Sequence, residues 1–245
     1  MTSFPDQLRL VLVPGADPEQ GPLPPLLVAL TVVTGLVDAC SYLLLGHVFV
    51  ANMTGNVVFL GFALAGASGF SINASLTALV CFWAGALAGG ALGARLGAHR
   101  GRLLRGAVSL QAVCLAAAVV LTALATLPPS SGFRYPLIVT LSLGMGMQNA
   151  TARRLAVPDL TTTVLTLTIT GTAADSTLAG GRGSAAGRRL VALSAMFLGA
   201  LAGALFVVHG HPVVPLAGAL VLVAGVGVAS HVCSRSTADL AWAHP

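Results

Sequence analysis

From Ser71 to Ala94 the chain passes through 24 residues without a charged side chain. An apolar helix of about 20 residues crosses the hydrocarbon core of a bilayer. Comparable apolar runs occupy Leu26 to Leu45, Gly106 to Leu127, Tyr135 to Thr151, Leu190 to Val208 and Pro212 to Ser230. Repeated runs of this length constrain the chain to an all-α, multi-pass membrane bundle. Composition agrees: 8% of the 245 residues are charged and the mean hydropathy is +0.91, whereas a soluble domain carries about 25% charged residues.

The basic side chains are twelve arginines, with no lysine, and they sit in short clusters between apolar runs. A net charge of +5 distributed in this way argues against a nucleic-acid surface. It fits topology determinants read during membrane insertion. Cys40, Cys81, Cys114 and Cys233 fall in or at the ends of apolar stretches and form no C-x-x-C pair, so small buried side chains are expected rather than disulfides or a metal site. Met1 to Glu19 lacks a basic segment followed at once by an apolar core and a small-residue cleavage site. The first apolar run is therefore expected to stay as a transmembrane helix.

One stretch departs from the apolar pattern in a way that points to function. Leu36 to Phe62 holds Asp38, the one acidic residue inside a long apolar run, and Asn52-Met-Thr-Gly-Asn56, a polar break between two apolar pieces. A carboxylate at membrane depth is costly and marks a functional candidate by default. Backbone that leaves helix geometry there survives only against protein or a water-lined cavity. Asp38 lies about 20 Å along the first run at 1.5 Å per residue. It is either a proton- or cation-coupling group or a carboxyl that caps exposed N–H groups of the break. Asn52, Thr54, Gly55 and Asn56 are expected either to line a substrate path or to satisfy the orphan backbone groups of the break.

Internal similarity extends this reading to a second stretch. Gly35-Leu-Val-Asp38 aligns with Gly146-Met-Gln-Asn149 at an offset of 111, and Asn52-Met-Thr54 with Val164-Leu-Thr166 at 112. Gly-Ala-Leu-Ala-Gly recurs at Gly85 to Gly89 and Gly199 to Gly203, an offset of 114. Two half-repeats follow, residues 25–127 and 136–231, joined by a loop over 128–135 and flanked by a cytoplasmic arm (1–24) and tail (232–245). Gln148, Asn149, Thr163 and Thr166 become counterparts of the first break. The threonine-rich stretch from Leu160 to Ala174 suits a segment facing protein or water, whether helical or extended.

Charge then selects a topology. If Arg95 to Arg105 is cytoplasmic, Arg153 and Arg154 return to the cytoplasm, and Arg182, Arg188 and Arg189 do so only if Leu160 to Ala174 dips in and returns. By the repeat, Val48 to Gly66 is re-entrant from the other side. The expectation is about six transmembrane helices in two inverted three-helix halves, each with a broken or re-entrant element, an arrangement shared by many transporters. Gly85, Gly89, Gly93 and Gly97 form a small-residue ridge, expected to pack within the chain or to build a homo-oligomer face.

Gly35-x-x-Asp38 followed by Val48-Phe-Val-Ala-Asn-Met-Thr-Gly-Asn56 resembles the signature of the YoaK-like family of bacterial integral membrane proteins. Gly146-Met-Gln-Asn149-Ala with Thr162-Thr163-Val and Thr166 is similar to that family's other recurrent stretch, although here Leu167 stands where a glycine is expected and the glycine comes at Gly171. The resemblance covers roughly Val28 to Ser230 and implies an inner-membrane bundle of about six helices; it supplies no substrate. Hydrolase, kinase and metalloprotease signatures are absent, and His209 and His211 lack further ligands; a non-enzymatic protein without cofactor or metal is expected. The leading expectation is a small-solute transporter or permease, proton-coupled through Asp38. The alternative is a non-transporting scaffold or partner-binding subunit built on the glycine ridges.

Overall fold

The computed structural model describes residues 4–125, 129–160, 162, 165–175, 179–180 and 186–236. Thr163, Pro128, Arg182 and the tail past residue 236 lie outside the described residues. The described helices are α1 (Phe4–Leu12), α2 (Leu23–Leu44), α3 (Met53–Leu64), α4 (Ile72–Leu96), α5 (Arg100–Leu124), α6 (Ser131–Leu155), α7 (Leu165–Ala174), α8 (Ala186–Val208) and α9 (Val213–Ser236). Among the described residues, extended pairing is limited to one isolated bridge between Asp17 and Gly21. α2, α4, α5, α8 and α9 are long and apolar enough to cross a membrane, and α3 is a shorter apolar helix. The chain is a multi-pass, all-helical membrane protein.

Local chemistry sets the helix ends. Pro24 and Pro25 occupy the first turn of α2, where the missing N–H groups cost nothing. Ser71 caps α4 by accepting from the Ala74 N–H at 3.3 Å. α6 closes on Ala156 in a left-handed conformation (φ 53°), and Pro158 prevents its continuation. Two boundaries differ from the sequence reading. The arm contains a helix, α1, whose Val11 is buried. α6 starts at Ser131, ahead of the expected Tyr135, because Pro136 is tolerated inside its second turn.

α2 is the central helix. Of its most apolar window 61% is buried, against 22 to 33% for the other four spans, and it packs against α8, α9, α6 and α1. Two joints between helices depend on glycine. At the α2–α8 joint, a Cβ on Gly35 would press on the Met196 carbonyl oxygen and one on Gly199 on that of Val32. At the α4–α6 joint, the same holds for Gly85 against Leu143 and Gly146 against Phe82. Each neighbour is backbone, which cannot swing away. Without side chains the helices approach closely enough to gain dispersion contacts that lipid tails cannot supply. The Gly85 and Gly89 ridge is thus buried on α6 within one chain.

The arginine-rich helix ends gather on one face, tied together by the arm. The Gln7 amide oxygen accepts from the Gly187 N–H at 2.8 Å, and Asp17 pairs with Arg188 at 3.3 Å. Arg100 donates to Gln20 at 3.2 Å and to the Leu155 carbonyl at 2.7 Å. The starts of α5 and α8 and the end of α6 therefore share a face.

Adjacent glycines on α4 give a direct test of the joint. Gly85→Ala is expected to lower the thermal midpoint of the detergent-purified protein, at a cost of about 1–3 kcal/mol for overpacking against backbone. Gly90→Ala, where a Cβ meets nothing within 4 Å, is expected to be neutral or mildly stabilising. Equal effects of the two would remove the close-packing argument.

Candidate functional site

The first break is closed by two side chains. Asp38 projects from α2 and is buried. One carboxylate oxygen accepts from the backbone N–H groups of Val50 (3.1 Å) and Ala51 (2.9 Å), and the other from the Asn52 side-chain amide. Asn56, fully buried in the first turn of α3, accepts from the Phe49 N–H at 2.9 Å and donates back to the Phe49 carbonyl at 2.6 Å. Backbone groups that a helix would pair internally are thus met by a carboxylate and an amide. The carboxylate also sits at the start of α3, where the helix dipole favours negative charge. Gly55 is required here because a Cβ would enter the Phe49 ring.

The two ends of this interrupted stretch meet. His47, which takes a left-handed conformation just past α2, hydrogen-bonds through Nδ1 to the Gly69 carbonyl at 3.0 Å, just past α3. Tyr42, His47, Phe49, Phe59, Phe62 and Phe70 pack ring against ring around this closure.

The second interrupted stretch closes by charge. Arg189 on α8 donates to Asp159 at 3.0 Å and to Asp175 at 2.8 Å. Asp159 precedes the threonine-rich stretch and Asp175 follows α7, so one guanidinium holds both ends. Asp159 is again left-handed, with φ 60° against 56° at His47. Gly171 admits the Arg189 guanidinium, which a Cβ would displace.

A file of buried polar side chains links α2, α5 and α6. On α2, Thr31, Thr34, Asp38 and Ser41 recur at three- and four-residue spacing and are all buried, which places them along one helical face. Gln148 of α6 donates to the Thr34 hydroxyl (2.9 Å) and the Leu30 carbonyl (3.3 Å), and accepts from Gln111 of α5 at 2.6 Å. The Gln111 amide oxygen and the Ser142 and Thr151 hydroxyls are buried without a protein partner. Buried polar atoms left so are sites for water or for a polar solute.

The structure brings Asp38, Asn52 and Asn56 together and seats Gly55 beside them. It leaves Thr54 exposed, on the outer side of α3's first turn. Gln148 is central. Asn149 occupies the position matching Asp38 and donates to the Met145 carbonyl at 2.9 Å. Thr166 is exposed on α7. Thr34, Gln111, Ser142 and Thr151 were not singled out as site residues from sequence. For Thr34 and Thr151 the three- and four-residue spacing from Thr31, Asp38 and Gln148 was the available signal, diluted because threonine and serine also bond their own helix, as Thr31 does to Leu27 at 2.9 Å. His209 and His211 lie in the turn before α9, and no group of three metal-binding side chains occurs among the described residues.

The bonding at Asp38 predicts a rescue. Asp38→Asn turns an amide toward the Asn52 amide and should destabilise by about 1–3 kcal/mol, the cost of an unmet buried group. Adding Asn52→Asp reverses the pair, so the double variant should melt above Asp38→Asn alone. A double variant that merely adds the two losses would contradict the assignment.

Residues 26–229 match the family described as Protein of unknown function (DUF1275). The chain is 37% identical over 146 residues to the UPF0700 transmembrane protein YoaK of Bacillus subtilis (strain 168), an alignment spanning 59% of this chain and 63% of that protein. No solved structure matches. The break with its carboxyl latch, the buried polar file and the apolar spans therefore belong to a transmembrane member of the DUF1275 family, with the YoaK-like character that the Asp38 and Asn52 to Asn56 stretches indicate.

Proposed function

We propose that the protein is a permease for small neutral polar solutes in the bacterial inner membrane. It is built from two inverted halves of three crossings, with α3 and α7 re-entrant from opposite faces. The carrying observation is that the helix contacts are unchanged when the halves are exchanged. α2 lies on α8 as α6 lies on α4, α5 on α6 as α9 on α2, α3 on α4 as α7 on α8, and α5 meets α9. The glycine joints repeat the relation: Gly35 and Gly146, 111 apart, meet carbonyls 114 apart at Met196 and Phe82.

The closures support re-entry. His47 with Gly69, and Asp159 with Asp175 through Arg189, hold the two ends of each short element together. α3 and α7 have 12 and 10 residues, or roughly 18 and 15 Å at 1.5 Å per residue, about half a bilayer core. α6 has 25 residues and serves as the sixth crossing. Its polar residues, buried Gln148 and half-buried Asn149, lower its apolarity.

The file selects neutral solutes because its free groups are amide and hydroxyl. The one carboxylate, Asp38, already accepts from three donors; it fits the role of latch for the outer break better than that of proton carrier. The glycine ridges on which a scaffold reading would rely are spent on intramolecular joints. In this reading transport proceeds by alternate loosening of α3 and α7, each opening the file to one side.

Two measurements test the proposal. In a variant lacking Cys40, Cys81, Cys114 and Cys233, Thr54→Cys and Thr166→Cys should react with membrane-impermeant thiol reagents from opposite sides. Labelling from the same side would end the inverted arrangement. Proteoliposomes should swell faster than protein-free vesicles in at least one of urea, glycerol and a small sugar alcohol. Gln148→Leu should cut that rate by tenfold or more, while Thr77→Ala, on the exposed flank of α4, leaves it unchanged. Swelling that matches empty vesicles for all three solutes would overturn the permease reading.

A further inference from the structure

A cleft of ≈ 440 Å³ opens between α5 and α9, away from the polar file, lined by Arg105, Ser109, Ala112, Val223, Ala224 and His231 among others. Its chemistry is divided by depth. Arg105 lies five residues past the start of α5 and His231 five before the end of α9. Both are therefore about 7 Å inside the arginine-rich face, at 1.5 Å per residue. Below them, Ser109 apart, the walls are valine, alanine and glycine for about two further turns.

Among the described residues, no acidic side chain offsets the positive charge at the head of the cleft. Arg105 joins none of the ion pairs among the described residues, and no acidic side chain lines the cleft. Its guanidinium contacts Nδ1 of His231. An arginine can only donate, so Nδ1 is the acceptor and the remaining ring nitrogen, Nε2, carries the proton. The pair thus offers two kinds of N–H donor and no acceptor. Below it, Val108, Ala112, Val223 and Val228 offer an apolar slot. Gly227 keeps that slot narrow at the α5–α9 contact, where a Cβ would meet Val108 at 3.4 Å.

We propose that this cleft is a binding site for an anionic phospholipid. The phosphate is held by Arg105 and His231, and the upper part of one acyl chain lies between α5 and α9. Charge complementarity chooses the occupant. A zwitterionic headgroup brings a cation toward Arg105, whereas that of phosphatidylglycerol brings none, and basic clefts between helices at a membrane face suit such headgroups. Because α5 meets α9 in the contact that relates the two halves, a lipid wedged there also braces the bundle along that seam.

The test uses the full chain in mild detergent, stripped of lipid and titrated with phosphatidylglycerol or phosphatidylcholine of the same acyl chains, read by native mass spectrometry and thermal midpoint. Phosphatidylglycerol is expected to bind at least fivefold more tightly and to raise the midpoint. Arg105→Gln should weaken it about fivefold, the value of roughly one headgroup charge contact. Arg102→Gln removes the same charge from an exposed position one turn away and should change nothing. Ala224→Leu, which fills the exposed wall of the slot, should abolish binding while leaving the lipid-free midpoint intact. Equal binding of the two lipids, equal losses in Arg102→Gln and Arg105→Gln, or retention in Ala224→Leu would each overturn the site. So would displacement of the lipid by millimolar inorganic phosphate, which would mean an anion site that ignores the chain. A dimer mass replacing the lipid adduct would mean that a second copy covers the cleft, and would also overturn it.

Discussion

The fold depends on the bonds from Val50 and Ala51 to Asp38. A backbone that leaves helix geometry at membrane depth exposes N–H groups which lipid cannot meet, each costing several kcal/mol. One carboxylate oxygen accepts both N–H groups and the other takes the Asn52 amide. Asn56 then closes a two-way bond with Phe49. Only with these groups met can the chain turn back into α3 beside the aromatic cluster of Tyr42, His47, Phe49 and Phe59. The charge that looks most expensive in the sequence is the one that makes the irregular segment affordable.

A second constraint is the distance between helix axes. Polar side chains can bridge α2, α5 and α6 only if the helices lie close; on the α6 face toward α5, a Cβ on Gly144 would meet Cys114 at 3.2 Å and Gln111 at 3.6 Å. Gly35 is three residues before Asp38 and one after Thr34. The packing position and the polar positions therefore share successive turns of one helix. The contact between Gln148 and Thr34 at 2.9 Å marks a close approach of α2 and α6, since an amide side chain reaches only a few ångströms beyond its own helix.

Much of this was legible before any coordinate. The apolar runs gave the spans to within a few residues, because period and length are local properties of the chain. Asp38 and the Asn52 to Asn56 break announced themselves by contrast with their surroundings. The 111- to 114-residue offsets pointed to glycines that do occupy matching joints. What stayed hidden was relational. Nothing in the sequence links Arg189 to both Asp159 and Asp175, or Gln111 to Gln148 37 residues on. Serine and threonine in a membrane helix carry little signal alone, because their own i−4 carbonyls can satisfy them. Helix α1 was missed because nine residues with one short apolar face fall below any run-length criterion.

The two halves differ in a way that bears on how the protein would work. The first break is held from within by a carboxylate, whereas the position matching Asp38 in the second half is Asn149, a neutral amide. The second stretch is instead pinned at its ends, where Arg189 bridges Asp159 and a half-exposed Asp175. Ion pairs near an aqueous face are screened and individually weak. Bonds to a buried carboxylate are neither. Salt therefore weakens the arm to exposed Asp175 more than the arm to Asp159, whose side chains are 15% and 24% exposed. The α3 side requires three buried bonds to part together. On the proposed permease reading, the amide of Asn149 in the place of Asp38, with Arg189 pinning the second stretch from its ends, makes the two gates unlike.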